Sequence, residues 1–138
     1  MKILKGVLGL FLLVAFCGCA SLLDAPKNVA GVSVRDMEDR RSGSIYQSYE
    51  CSTMECFDAI IDIAILNKYN VFSKDQVKGI IVLMDIPGAV DTTEVGVFLT
   101  ALENKNGIKV EISSRSTPAK RTVAVLLFAE LAQKFTKI

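Results

Sequence analysis

The sequence predicts an α+β domain, a two-layer sandwich in which an antiparallel meander sheet carries two helices on one face. Three observations predict it. Two helical stretches, Met54 to about Lys68 and Pro118 to near Lys137, bracket the central part of the chain. Between them, runs rich in strand-forming residues are separated by short connections of Gly, Pro, Asn and Asp, which is the pattern of successive hairpins. In the last of these runs Ile108, Val110 and Ile112 alternate with Lys109, Glu111 and Ser113, as in a strand with one wet face. With a first strand from Ile45 to Cys51, the order is β-α-β-β-β-β-α, and segregated helices on an antiparallel sheet follow from it.

The elements follow in order. Met1 to Gly18 reads as a secretory signal: Lys2 and Lys5, an apolar run from Gly6 to Phe16, then the small-residue exit Cys17-Gly18-Cys19. That run is too short for a permanent membrane span. Ala20 to about Ser44 holds Pro26 and the charged stretch Arg35-Asp36-Met37-Glu38-Asp39-Arg40-Arg41 with sparse apolar residues, so 19–44 reads as a tether, with Val29 to Val34 as a further candidate edge strand. The folded domain is expected over 45–138. Ser52-Thr53-Met54-Glu55 has the form of a capping box, and Cys56, Phe57, Ile60, Ile63 and Ala64 then share one helix face opposite Glu55, Asp58 and Asp62. Strands are expected at Asn70 to Lys74, Gly79 to Ile86, Thr93 to Leu102 and Ile108 to Ser114. Thr117-Pro118 reads as a cap followed by proline at the first helical position of the second helix.

A chain of 138 residues sets one core as the ceiling. Much of the excess in its hydrophobic content of 51% sits in the signal segment, and its net charge of +1 depends on the two lysines there. The remainder is near neutral, so no nucleic-acid partner is expected, since such binding needs a concentrated basic surface.

Phe16-Cys17-Gly18-Cys19 resembles the lipobox of bacterial lipoproteins, with Phe16 where that motif usually carries Leu. The resemblance implies that Cys19 becomes the lipid-bearing first residue of the mature chain. Acyl chains contribute roughly 0.8 kcal/mol per buried methylene, so a multiply acylated cysteine anchors firmly. Ala20 rather than Asp after it implies, by the same resemblance, the outer membrane facing the periplasm. The lipobox, Phe57-Asp58-Ala59, Lys78-Gly79-Ile80-Ile81 and Val110-Glu111-Ile112-Ser113-Ser114-Arg115 together resemble small, uncharacterised bacterial envelope lipoproteins. Their domains are similar to the helix-grip modules of BamC, a lipoprotein of the outer-membrane barrel assembly machine. That resemblance implies a binding or assembly role and carries over no catalytic residue.

Catalysis and metal binding have few means here. The chain has no histidine, and no serine elbow or paired-carboxylate motif occurs, so a non-enzymatic module without cofactor is expected. Cys51 and Cys56 form a candidate disulfide for an oxidising compartment; the alternative is two half-buried thiols, and two thiols alone do not complete a zinc site. Arg115, Thr117, Lys120 and Arg121 surround a helix N-terminus, the recipe for an anion site, although the same hydroxyls also serve simply to satisfy the helix end. On the second helix, a solvent face set by Glu130, Lys134 and Lys137 leaves Ala124, Phe128, Leu131 and Phe135 to pack on the sheet. Val123, Leu126 and Leu127 are then placed outside, covered either by the tether or the neighbouring helix of the same chain or, as a candidate interface, by a protein partner, a second copy or a membrane. The function expected is a membrane-anchored interaction or assembly module. The alternative is a domain binding a small or lipidic anion between helices and sheet.

Overall fold

A computed structural model of the chain describes residues 34–103 and 106–138. The signal segment, Cys19, and the tether and candidate strand up to residue 33 lie outside the described residues. The elements are β1 (Ile45–Tyr49), α1 (Thr53–Leu66), β2 (Asn70–Asp75), β3 (Ile80–Met84), β4 (Val95–Ala101), β5 (Ile108–Ser114) and α2 (Thr117–Lys134). The sheet order is β1-β5-β4-β3-β2 with every pair antiparallel. β2 to β5 are therefore the expected meander, and β1 closes beside β5, with Ile45 opposite Ile112. The fold class is the α+β sandwich that the sequence predicts.

Strand parity divides the apolar residues between two faces. Ile81 and Leu83, Val95, Val97 and Leu99, and Ile108, Val110 and Ile112 join Phe57, Ile60 and Ile63 of α1 and Val123, Leu127 and Leu131 of α2 in one core. Both helices thus cover the same face. Tyr49 is wholly buried there, its hydroxyl donating to the Phe128 carbonyl at 3.2 Å, and burial pushes its pKa up to about 12.

The opposite face is not wet as expected. Residues 34–39 are helical and Arg41–Gly43 form a 3-10 turn, and this strap lies across β3, β4 and β5. Met37, 4% exposed, packs with Ile80, Val82 and Phe98 in a second cluster separate from the main core. Gly96 opens the notch it occupies: a Cβ there would meet the Met37 sulfur at 3.0 Å and the Phe98 ring at 2.9 Å. The compact unit therefore begins at Val34 rather than Ile45, and the last part of the expected tether is docked. Val34 and Met37 are too few apolar side chains to set up a periodicity, and the rest of the docking is by charged and polar groups.

Helix ends explain two further departures. α1 has the capping box, with Ser52 Oγ accepting from Glu55 N and Glu55 Oε2 accepting from Ser52 N. α2 is capped by Ser116, whose hydroxyl accepts from Ala119 N at 3.3 Å; Thr117 is already the first helical residue. Pro118 sits at the next position, where its missing N–H is equally harmless. The edges are treated differently. β2 carries an irregularity between Val71 and Ser73 that leaves Phe72 exposed. β1 is paired over its last residues by the chain's end: Glu50 N donates to Thr136 O and Ile138 N donates to Ser48 O. A bulge and a covering segment are both ways to blunt a sheet edge.

Candidate functional site

The clearest open feature of the helical layer is a groove of about 550 Å³ between α2 and the residue that ends the α1 turn. It is lined by Tyr69, Thr122, Val125, Leu126 and Ala129 and by the charged residues Arg121 and Glu130. Tyr69 is delivered by the way α1 stops. Lys68 N donates to Ile65 O and Tyr69 N to Ala64 O, with Lys68 at φ 61, the two-bond helix ending in which the residue past the cap is left-handed. The chain turns back there and Tyr69 packs on the core, where burial raises its hydroxyl pKa. Val125 is 74% exposed at the groove while Leu126 is half-buried beside it.

The expected interface on α2 needs correction in this light. Val123 and Leu127 are 0% and 1% exposed and belong to the core; of the three residues named, only Leu126 reaches the surface. The error comes from Lys137. The helix ends at Lys134, so Lys137 says nothing about its faces, and Glu130 is itself half-buried. The buried stripe is Ala119, Val123, Leu127 and Leu131 at i, i+4 spacing with Ala124 beside it. The outward apolar residue that sequence reasoning missed is Val125, hidden in a continuous run from Val123 to Leu127.

The expected anion cluster is not assembled either. Arg115 pairs with Asp36, and Lys120 Nζ donates to the Gly43 carbonyl, so both cations hold the strap. Arg121 is apart from them in the groove, and Thr117 is within the helix. The strap's other polar contacts converge on Glu111. Its carboxylate accepts from Arg41 and Ser44 and lies 3.3 Å from Lys109 Nζ, while the Arg41 guanidinium sits 4.9 Å over the Phe98 ring and also donates to Thr100. Burial pushes the Glu111 carboxyl up, but hydrogen bonds and attraction from Arg41 and then Lys109 outweigh it and hold the pKa below the usual carboxylate range.

Cys51 and Cys56 are joined in a disulfide. Relative to the Ser52 cap they occupy the positions just before the cap and at the end of the first turn, where a pair of apolar side chains commonly packs as a staple; here the staple is covalent. Next to it lies an open cavity of about 940 Å³ lined by Cys51, Ser52, Gly107, Ile108 and Ile138 among others. Asp58 and Asp62 join no cluster, and among the described residues no three His, Cys, Asp or Glu side chains converge as for a metal. Among the same residues, no helix is long and apolar enough to cross a membrane.

No family model matches the chain, and no curated protein matches it. The groove, the strap and the stapled helix start are therefore read on their own geometry.

Proposed function

We propose that this chain is a lipid-anchored module of the bacterial envelope, held by an acylated Cys19, that acts by contact with a protein at the α2 groove and not by catalysis. The observation that carries the contact is Val125: an aliphatic side chain three-quarters exposed in a groove that it lines with Tyr69, Leu126 and Ala129 together with the opposite charges of Arg121 and Glu130. Interfaces commonly combine apolar and charged groups in this way. The anchor rests on the lipobox-like sequence, and the assembly role on the resemblance to envelope lipoproteins.

A photo-crosslinking residue at Val125, in the full chain within its native envelope, tests the contact. One discrete adduct that disappears in Leu126→Asp supports the reading. An adduct pattern identical to that of a residue placed at exposed Val90 would overturn it. For the anchor, Cys19→Ser is expected to move the protein from the membrane to the soluble fraction, checked by fractionation and by the mass of the mature N-terminus.

A second reading takes the same groove as a site for a small anionic amphiphile, favoured by Arg121 lining it beside Val125, Leu126 and Ala129. Mass spectrometry of the purified chain under non-denaturing conditions distinguishes it: a bound small molecule lost in Arg121→Gln speaks for the amphiphile.

A further inference from the structure

The strap over residues 34–43 is attached unlike anything else in the fold. Its one deeply buried apolar contact is Met37, in a cluster of Ile80, Val82 and Phe98 that is distinct from the main core on the other face of the sheet. Val34 packs against the same cluster half-buried, Arg41 lies over the Phe98 ring, and the other ties are charged or polar: Asp36 to Arg115, Arg41 to Glu111 and Thr100, the Gly43 carbonyl to Lys120, and the Met37 carbonyl accepting from Ser113 Oγ. The Asp36–Arg115 pair is largely in solvent, with 68% of the arginine side chain exposed. Its backbone bonds are local, Arg40 N to Met37 O, Gly43 N to Arg40 O and Ser44 N to Arg41 O. So short a helical piece has no stability of its own in water, and it exists only while docked.

From this we infer that the strap is a releasable latch, which undocks and melts as a unit while the sandwich beneath it stays folded. Proteins open in cooperative pieces whose stability follows their apolar contacts, and a piece whose apolar contacts are Met37 and the partly buried Val34, tied otherwise by one exposed ion pair and one half-buried pair to Glu111, is toward the weak end of that range. Release uncovers Ile80, Val82 and Phe98 as a connected apolar strip, since Phe98 lies opposite Ile80 on β3 and opposite Glu111 on β5. It also frees chain. At ~3.3 to 3.6 Å per extended residue, undocking 34–43 adds roughly 35 Å of reach between the domain and whatever holds the chain upstream. This last consequence rests on the reading that the chain is lipid-anchored at Cys19; the latch itself does not. The device thus couples two states of one segment, short and covered or long and uncovered.

Hydrogen exchange followed by mass spectrometry, on the full lipid-bearing chain in detergent or vesicles, tests the latch. The amides of 38–44 are expected to exchange through an opening at least about tenfold more populated than that of β4 and β5. Met37→Asp is expected to raise strap exchange a further tenfold or more while β4 and β5 stay within about twofold, and Arg41→Gln is expected to act in the same direction to a smaller extent. Strap amides that exchange only in step with β4 and β5, in the wild type and in Arg41→Gln alike, would overturn the inference, as would a Met37→Asp chain that unfolds as a whole. A mature N-terminus without acyl groups would remove the anchored reading and the argument about reach, leaving the exchange data to decide the latch.

Discussion

At the scale of single residues, Glu111 is the charge on which the sheet's second face depends. Its folded pKa is depressed, so its contribution is present above the ordinary carboxylate range and is lost as pH falls through the lowered value. Glu111→Gln is expected to cost about 1–3 kcal/mol at pH 7 and to flatten the acid limb of stability, measured by urea unfolding at a series of pH values. Two backbone positions make opposite predictions. Gly79 has φ +65 and an added Cβ would lie 2.7 Å from the Leu99 carbonyl, whose own N–H donates to Gly79 O; Gly79→Ala should therefore destabilise by about 2 kcal/mol or more. Lys68 has φ 61 without being glycine, and Lys68→Gly should stabilise by about 1 kcal/mol in the same assay. Neither is announced by the sequence: Gly79 is expected to open the strand to Ile86, whereas it is the left-handed residue just before β3, and nothing in the sequence marks Lys68. A left-handed lysine has no signature, because glycine's usual place after the helix is here taken by a residue that tolerates the strain.

At the scale of elements, legibility followed local chemistry and stopped where tertiary contact decides. The α1 start was readable because cap, box and cysteine pair all lie within six residues, 51–56, and act on one another. Closing so short a loop restricts the unfolded chain by about 2 kcal/mol on a chain-entropy estimate, so reduction should lower the midpoint of unfolding and raise the mass by two hydrogens. The α2 start was misread by one residue, since Ser116 and Thr117 both have capping hydroxyls and only the backbone decides between them; Ser116→Ala should cost about 1 kcal/mol and Thr117→Ala much less. The face of α2 was misread more seriously. Its apolar residues run nearly all round, so the burial pattern rests on where the helix ends, and that depends on Phe135 leaving the helix and Lys137 pairing with Tyr49 of β1. Leu127→Asp should abolish folding, whereas Val125→Asp should leave the melting temperature within a few degrees, checked by circular dichroism.

At the scale of the whole molecule, the strand and helix order was legible and the boundary at its N-terminal side was not. Alternation and turn residues specify a meander directly, while the strap's docking needs the notch at Gly96 and the cations of Arg115, just after β5, and Lys120 of α2, which come from distant parts of the chain. The groove on α2 was legible only as an excess of apolar residues, not as a place. One further property follows from the sheet order. Ile45 of β1 finds its partner in Ile112 of β5, so the first strand of the sheet can pair only after the last has been made. Hairpins β2 to β5 form locally, but β1 must wait for a contact of large sequence separation, and such closures are slow. The edge of β5 that β1 covers therefore stays open in the growing sheet until that last pairing closes it.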